Sequence, residues 1–384
     1  MQLSLLLSAE ALMAVAAFVA SGCAFYLVHT AKNAHRIHKR MVFGQSKLNA
    51  YLAEGLQDLL DRYRPTWWTN THIQIALTFL IPQARINYKR EILTLADGGH
   101  AALDWAHESE HHKLAPDSPI VLVLHGLTGC SLAMRSLCAE ALEHGYRPVV
   151  FNKRGHGGVK LVTPKLQPFG CVRDLSHAIA HIEREYPTAK LYGIGFSAGS
   201  GLLCSYLGET GASSRLDAGV LISPGYSALE LFCRGKINPV YNFLMTFSLK
   251  QFLMKHKTEL EKIVHVPSAL KATTIREFDE HVYMKMHGYE NIEEYWKYND
   301  PMRDVDQILR PVLCINALDD PVCTKETIPY EEFEQNPLRM LVETEKGSHC
   351  AFFEGHIMLK SWAHEAAMTY LSRVREYQRN AASS

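Results

Sequence analysis

KLYGIGFSAGSGLLCSYLGE, residues 190–209, crowds four glycines around one Phe-Ser-Ala in an otherwise apolar run. Two known patterns overlap here. G-x-G-x-x-A, starting at Gly193, is typical of a dinucleotide-binding turn. G-x-S-x-G, centred on Ser197, is typical of a sharp strand-to-helix turn that exposes a reactive serine. The rest of the sequence has to distinguish the two.

The dinucleotide pattern fails in this context. Such a turn opens the first βαβ unit of its sheet, and an acidic residue ends the next strand about twenty residues later. Two parallel strand-like runs already precede Gly193, and Asp217 stands before the next run rather than after it. We therefore interpret residues 190–209 as a serine turn and predict no cofactor.

Length and composition limit the classes of protein. With 384 residues, 47% of them hydrophobic, the chain can bury a large core in one or two domains. The 40 basic and 40 acidic residues cancel, which gives no support for nucleic acid as a partner. The nine cysteines show no CxxC spacing. Free thiols in a reducing compartment are favoured, and a secreted protein with paired cysteines is the alternative.

An uncharged apolar run occupies residues 11–28, ALMAVAAFVASGCAFYLV. Its eighteen residues are about the minimum for a membrane-spanning helix. A cleaved signal peptide, or a lipoprotein-type Cys23, fits less well because no basic residue precedes the run. Residues 1–40 therefore predict a single-pass anchor with a basic flank, and the positive-inside rule places the C-terminal bulk of the chain in the cytosol. The endoplasmic reticulum is one candidate membrane. The basic flank consists of Lys32, Arg36, Lys39 and Arg40.

Residues 41–86 form a predicted juxtamembrane segment. Leucines at helical spacing predict an amphipathic helix: Leu48, Leu52, Leu56 and Leu59. The stretch that follows, residues 65–82, has two tryptophans and an apolar tail. Trp67 and Trp68 either lie at a membrane interface or pack on the next domain.

Residues 87–378 alternate strand-like and helical patterns, which predicts an α/β domain. Eight strand-like runs occur at residues 90–95, 101–105, 120–124, 148–152, 190–194, 218–223, 312–316 and 340–344. Helical stretches separate several of them, at residues 132–144, 171–186 and 198–207. The alternation predicts a mostly parallel, eight-stranded sheet with helices on both faces. Residues 225–310 are too long for a loop and predict a helical cap over a pocket, while 379–384 predict a disordered tail.

Three residues at the ends of predicted strands favour acyl-transfer chemistry. A serine turn requires a base and an acid, in the chain order Ser, acid, His. Asp319 and Asp320 follow the seventh run, and His349 follows the eighth, at the same edge of the predicted sheet. We predict Ser197 as nucleophile, His349 as general base and Asp320 as the acid that orients it. Asp320 is preferred because Pro-Val directly follows it, and Asp319 is the alternative.

The loop after the third strand-like run, HGLTG at residues 125–129, predicts an oxyanion hole. One backbone N–H of this loop must reach the carbonyl oxygen of the substrate, together with the amide after the nucleophile. We expect these donors to be Leu127 and Ala198. His125 is interpreted as a residue that shapes the turn without transferring a proton.

A zinc motif is matched by HESEH at residues 107–111. Zinc binding by H-E-x-x-H requires a buried helix and a third ligand. This stretch lies in a short polar connection, with Pro116 and Pro119 close behind. We therefore interpret it as a solvated loop and predict no metal.

Several motifs together resemble the AB hydrolase 4 family of the α/β-hydrolase superfamily. That family includes mammalian ABHD lipases and esterases, plant embryogenesis-associated proteins and bacterial carboxylesterase-like proteins. The similarity runs from about residue 65 to about residue 370. It consists of HIQIAL (72–77), HGLTG (125–129), NKRGHGG (152–158), GFSAGSG (195–201), YLGETG (206–211), ISPGYSALE (222–230), YNFLM (241–245) and NALDDPV (316–322).

The resemblance implies an α/β-hydrolase fold, an N-terminal membrane anchor and Ser-Asp-His hydrolysis of lipid esters. Such esters include monoacylglycerols, phospholipids and simple acyl esters. Two positions depart from the family pattern. Ser348 stands before the histidine, where many members have glycine. The H-x-x-x-x-D acyltransferase box is absent there, because HCAFFE (349–354) ends in glutamate, so the resemblance does not imply transacylase activity.

The sequence thus predicts a membrane-anchored serine carboxylic-ester hydrolase that works through an acyl-enzyme. Its expected partners are a lipid or acyl-ester substrate and the membrane, without nucleic acid or metal. A thioesterase or an acyltransferase would use the same residues. A catalytically silent, membrane-tethered binding protein is the alternative from another class.

Overall fold

Helices cover both faces of a central sheet, so its inner strands are nearly continuous apolar runs. The computed structural model describes Ser21, Ala24 and residues 37–66, 70–106, 114–355 and 359–383. The strands are β1 (Lys39–Val42), β2 (Tyr88–Thr94), β3 (His100–Ala106), β4 (Ile120–Leu124), β5 (Arg147–Asn152), β6 (Leu191–Phe196), β7 (Ala218–Ile222), β8 (Val312–Ala317), β9 (Arg339–Thr344), β10 (Phe353–Glu354) and β11 (Lys360–Ser361).

The helices lie mostly between the strands along the chain. They are α1 (Lys47–Arg62), α2 (Thr71–Leu80), α3 (Arg135–Glu143), α4 (Arg173–Glu185), α5 (Ala198–Thr210), α6 (Pro239–Lys255), α7 (Lys257–Leu260), α8 (Val266–Ala269), α9 (Ile275–His281), α10 (Tyr283–His287), α11 (Ile292–Asn299), α12 (Tyr330–Gln335) and α13 (Trp362–Ser383). Helices α1, α3 and α13 cover one face of the sheet, and α4, α5 and α12 cover the other.

The main sheet has nine strands in the order β1-β9-β8-β7-β6-β4-β5-β3-β2. Strands β4 to β9 run parallel, and β1, β2 and β3 pair antiparallel towards the two edges. The predicted mostly parallel sheet is therefore confirmed, and the predicted number of eight strands is wrong by one. In a parallel sheet of this kind, ligands bind beyond the carboxyl ends of the strands.

The strand of the main sheet that the sequence did not predict is β1, whose first two residues were assigned to the basic flank of an anchor. It pairs antiparallel with β9, so that Arg40 lies opposite Glu343 and its Nε is 3.0 Å from the Glu343 Oε1 atom. Two of its four residues are charged, so no apolar alternation marks it as a strand. Charged side chains are common on edge strands because they prevent pairing with other chains. The predicted boundary at residue 40 therefore cuts through a strand.

Helix α1 confirms the predicted amphipathic helix, and its apolar face is covered by protein. Leu52 and Leu56 are buried in the core cluster that contains much of α13. The Trp362 indole N–H donates to the Leu59 carbonyl oxygen over 3.0 Å. The helix is thus part of the domain core rather than a separate segment before it.

The long segment between β7 and β8, predicted as a cap over residues 225–310, contains helices α6 to α11. These helices share an apolar cluster of their own, which includes Leu253, Phe278 and Trp296. The predicted disordered tail, residues 379–384, is wrong where the structure describes it, because α13 continues to Ser383.

Three predictions concern residues that the structure mostly leaves undescribed. The predicted anchor, residues 11–28, lies outside the described residues except for Ser21 and Ala24. Trp67, Trp68 and the HESEH stretch also lie outside them. Among the residues that are described, no helix has the length and apolar character needed to cross a bilayer. The anchor stays a prediction.

Candidate active site

The serine turn joins β6 to α5, and it has the strained backbone that exposes a side chain. Ser197 has φ 51° and ψ −119°, in the left-handed region that non-glycine residues rarely adopt. A Cβ atom at Gly195 would lie 2.5 Å from the Gly199 carbonyl oxygen, and one at Gly199 would lie 2.3 Å from the Leu124 carbonyl oxygen. Both positions must therefore be glycine, because α5 lies too close to β6 at Gly195 and to the end of β4 at Gly199 for any side chain. The predicted role of these glycines is confirmed.

His349 lies between Ser197 and Asp320 and contacts both. Its Nε2 atom is 2.8 Å from Ser197 Oγ, and its Nδ1 atom is 2.8 Å from Asp320 Oδ2. The three residues come from loops after β6, β8 and β9, whose carboxyl ends meet at one edge of the sheet. The other oxygen of Asp320 accepts the N–H groups of Val322 and Cys323, at 2.8 and 2.9 Å. These two bonds fix the carboxylate with its free oxygen directed at the imidazole.

Asp319 makes a different set of contacts. Its Oδ1 atom accepts the N–H groups of Gly347 and Ser348, at 3.0 and 2.8 Å. Its Oδ2 atom accepts the Thr71 hydroxyl at the start of α2. Asp319 therefore holds the backbone of the loop that carries His349, while Asp320 holds the ring itself.

The electrostatic surroundings of His349 favour its charged form. Burial lowers the pKa of the imidazole, but the Asp320 carboxylate, together with Cys350 and Cys323, holds the pKa well above its ordinary value. An imidazole in this position can take a proton from Ser197 and be stabilised as an imidazolium by Asp320.

The two predicted oxyanion donors lie beside Ser197. Leu127 and Ala198 both line the cavity into which Ser197 opens. Within the described part of the chain, neither of their backbone N–H groups donates a hydrogen bond. Ala198 is also the first residue of α5, where the helix dipole attracts negative charge. Both amides are thus free to bind an oxygen of a ligand.

His125, in the same loop, is buried and electrically neutral. Its Nδ1 atom is 2.8 Å from the Gly126 carbonyl oxygen. Burial and the nearby Lys153 ammonium lower the pKa of the ring to about 3. A group that stays neutral at physiological pH and binds its own loop fits the predicted structural role.

A mainly apolar cavity of about 60 Å³ adjoins Ser197. It lies between the sheet edge and the inserted helices, and Met245, Leu249 and Trp296 are among the residues that line it. This volume holds only a few water molecules.

Comparisons with known proteins agree on the family. The alpha/beta hydrolase fold family model matches residues 119–356. Protein ABHD15 of Homo sapiens is 36% identical over 324 residues, which cover 82% of this chain and 69% of that protein. Phospholipase ABHD3 of Bos taurus is 33% identical over 367 residues, which cover 93% of this chain and 86% of that protein. Monoacylglycerol lipase ABHD2 of Mus musculus is 29% identical over 368 residues, which cover 88% of this chain and 86% of that protein.

This chain belongs to the AB hydrolase 4 family of α/β hydrolases. The resemblance predicted from its motifs is confirmed. One departure from the family pattern, Ser348, has φ 56°, a conformation that glycine adopts without strain. Its hydroxyl donates to the Thr71 carbonyl oxygen over 2.7 Å, which ties the histidine loop to α2.

Two ionisable residues that line the cavity of this AB hydrolase were not identified as site residues from the sequence. Lys153 follows β5 at the carboxyl edge of the sheet, and burial lowers the pKa of its ammonium to about 8. Its place in the NKRGHGG motif, directly after a strand, was a usable signal. Asp279 of α9 is buried, and burial raises the pKa of its carboxyl well above the ordinary value. It comes from the inserted helices, where no local pattern marks it.

Among the described residues of this AB hydrolase, one group of potential metal ligands includes His349. Asp320, Cys323 and His349 each present one ligand atom, and these atoms lie within 4.8 Å of one another. Two of the three already bind each other, so the arrangement is complete without an ion. The absence of a metal stays a prediction.

Proposed function

We propose that this chain is a membrane-anchored serine hydrolase that cleaves carboxylic esters of lipid-like substrates. The relatives named phospholipase ABHD3 and monoacylglycerol lipase ABHD2 support a lipid ester as the substrate class. The observation that carries the proposal is the position of His349, 2.8 Å from both Ser197 Oγ and Asp320 Oδ2. The substrate is a monoacylglycerol, a phospholipid or a simple acyl ester.

In the first half of the proposed reaction, Ser197 Oγ attacks the carbonyl carbon of the ester. His349 Nε2 accepts the hydroxyl proton, and Asp320 stabilises the imidazolium that results. The carbonyl oxygen becomes an oxyanion bound by the N–H groups of Leu127 and Ala198. The bond to the alcohol then breaks, His349 returns the proton to the leaving alcohol, and the acyl group stays on Ser197.

The second half hydrolyses the acyl-enzyme. A water molecule loses a proton to His349 and attacks the acyl carbon. The carboxylic acid leaves, and the proton on His349 returns to Ser197 Oγ. Serine, histidine and aspartate end the cycle in the state in which they began it.

The proposed anchor is the uncharged run at residues 11–28, followed by basic residues. It would hold the catalytic domain on the cytosolic side of a membrane, with the endoplasmic reticulum as one candidate. A fixed position at the bilayer brings the site to substrates that are not dissolved in water.

The proposal is tested with the purified full-length chain and a panel of esters. Hydrolysis of a soluble short-chain ester and of at least one lipid ester is expected, with the loss of both in Ser197→Ala. Ser213→Ala, an exposed serine in the turn that follows the same helix, is the control and should keep its activity. A wild-type protein that folds but turns over no ester would contradict the proposal and favour a silent binding protein.

A further inference from the structure

Helices α2 and α6 expose an unusual number of apolar side chains. The described part of the chain has thirteen strongly exposed large hydrophobic residues, and eight of them lie on these two helices. We call these eight the apolar face. They are Ile73 (44% exposed), Phe79 (84%), Leu80 (74%), Val240 (62%), Phe243 (51%), Leu244 (49%), Phe247 (51%) and Met254 (44%).

The burial pattern of α2 is the reverse of an ordinary surface helix. A helix on the surface of a soluble domain directs its apolar side chains inwards and its polar ones outwards. In α2 the one fully buried residue is polar, Gln74, while Phe79 and Leu80 at its end are directed into solvent. The packing of the described residues does not explain this arrangement.

Helix α6 is apolar on both sides. Leu249 and Leu253 are buried against the cap, while Val240, Phe243 and Phe247 recur outside at helical spacing. Exposed apolar patches of this kind in a soluble domain mark an interaction surface. The outer side of α6 therefore needs a partner that is itself apolar.

The two helices touch each other near their N-terminal ends. His72 Nδ1 of α2 lies 2.8 Å from the Tyr241 hydroxyl oxygen of α6, and the two rings stack with centroids 5.8 Å apart. Their exposed residues therefore belong to neighbouring helices rather than to distant parts of the molecule.

This surface adjoins the candidate active site. Helix α2 begins at Thr71, which binds both Asp319 and Ser348 of the loops around His349. Helix α6 begins after Asn238, whose N–H donates to the Pro321 carbonyl oxygen over 3.1 Å. The inner side of α6 lines the cavity that contains Ser197. An ester that reaches Ser197 from an apolar phase would pass along this helix.

The charges of the two helices favour an apolar partner whose surface is anionic. Neither helix contains an aspartate or a glutamate, and α6 carries Lys250 and Lys255. Membrane surfaces in the cell are often anionic and attract basic residues beside an apolar face. A lipid bilayer fits both the apolar and the basic character of the surface.

We propose that the apolar face of α2 and α6 docks on a lipid bilayer, as a contact separate from any N-terminal anchor. The inserted side chains lie at the boundary between head groups and acyl chains, and the cavity opens towards the membrane. The purpose of the contact rests on the proposed function, since it delivers a lipid ester to Ser197. The contact itself is measurable whether or not the ester is cleaved.

A photocrosslinking experiment identifies the partner directly. The full chain, inserted into vesicles of phosphatidylcholine and phosphatidylserine, carries Phe247→p-benzoylphenylalanine and is irradiated. An adduct with the mass of a lipid is expected. Leu309→p-benzoylphenylalanine is the matched control, because Leu309 is 54% exposed and precedes β8 at the opposite edge of the sheet.

Several results would overturn the docking proposal. They are an adduct to a second copy of the chain, an adduct to residues 11–28, no adduct at all, or lipid adducts of equal yield at both positions. The same experiment on Ser197→Ala should give the same lipid adduct. Failure of the proposed hydrolysis would thus leave this result untouched.

A kinetic experiment measures the consequence. In the full chain, Leu244→Glu combined with Phe247→Glu should lower turnover of a vesicle-embedded ester about tenfold or more, because charges would enter the acyl region. Hydrolysis of a soluble short-chain ester should stay within about twofold, since neither residue lines the cavity. Leu309→Glu should change neither rate. Equal losses on both substrates, or unchanged turnover of the vesicle ester, would contradict the docking contact.

Discussion

At the scale of single residues, two neighbouring aspartates differ in what they hold. Asp320 contacts the His349 ring, and Asp319 contacts the backbone N–H groups of the loop before it. The sequence alone placed both at the correct strand end and preferred Asp320 from the Pro-Val that follows. Their separate contacts lead to separate expected effects of substitution.

Asp320→Asn should lower kcat by about 10⁴-fold, because an amide no longer stabilises the imidazolium or fixes its tautomer. Asp319→Asn should lower activity much less and should instead lower Tm, since it weakens two hydrogen bonds to the loop. Steady-state kinetics and thermal unfolding of both variants measure the difference. Equal, small losses of activity would argue against Asp320 as the acid.

The pH dependence of the proposed reaction follows from His349. The base must be neutral to accept the serine proton, and the Asp320 carboxylate raises the pKa of the ring above its usual value of about 6.5 despite burial. The kcat/KM for a soluble ester should therefore rise with pH, with a midpoint above about 6.5. In Asp320→Asn the midpoint of the pH profile of the residual activity should shift to lower pH. A midpoint at or below the ordinary value in the wild type would contradict this account.

At the scale of elements, the serine turn is defined by close contacts between backbones. Helix α5 approaches β4 so closely that the Leu124 carbonyl oxygen occupies the place of a Cβ at Gly199. Local sequence was sufficient to predict this turn, because its requirement for small residues lies within five positions. The same reasoning makes it sensitive to a single methyl group.

Gly199→Ala should lower the free energy of unfolding by about 1–3 kcal/mol, because the methyl group collides with backbone that cannot move aside. Gly126→Ala is the matched control, since its Cβ would lie 3.7 Å from the nearest atom, at ordinary contact distance. Denaturant unfolding of both variants measures the effect. A Gly199→Ala protein as stable as the Gly126→Ala protein would show that the turn tolerates a side chain.

Elements without a local signal were not predicted. Strand β1 is short and charged, and its partner β9 is about 300 residues away, so only the folded chain reveals the pairing. The buried side of α1 was visible as a leucine pattern, but its partner α13 was not. Lys153 and Asp279 enter the cavity from separate loops and helices, which sequence spacing does not relate.

At the scale of the whole molecule, the candidate site and the cavity lie at the carboxyl edge of the sheet, and the two helices that carry the apolar face begin next to them. Loops after β6, β8 and β9 carry the reacting residues, and α2 and α6 begin beside those loops. The predicted anchor at residues 11–28 would add a second link to the bilayer. A protein that lacks the anchor would keep only the proposed contact through the apolar face.

Deletion of residues 1–30 should leave hydrolysis of a soluble short-chain ester intact, because the described domain begins after them. Turnover of an ester embedded in vesicles should fall, since the protein would be held at the bilayer only by the apolar face. Both rates can be compared with those of the full chain at equal protein concentration. An unchanged rate on the vesicle ester would refute the role proposed for the anchor.

The most direct test of the central claim is the identity of the residue that forms a covalent adduct with a fluorophosphonate. Peptide mass spectrometry of the treated full-length protein should find the phosphonyl group on Ser197, and the adduct should be lost in His349→Ala. An adduct on a different residue, or one that forms equally fast without His349, would contradict activation of Ser197 by this histidine.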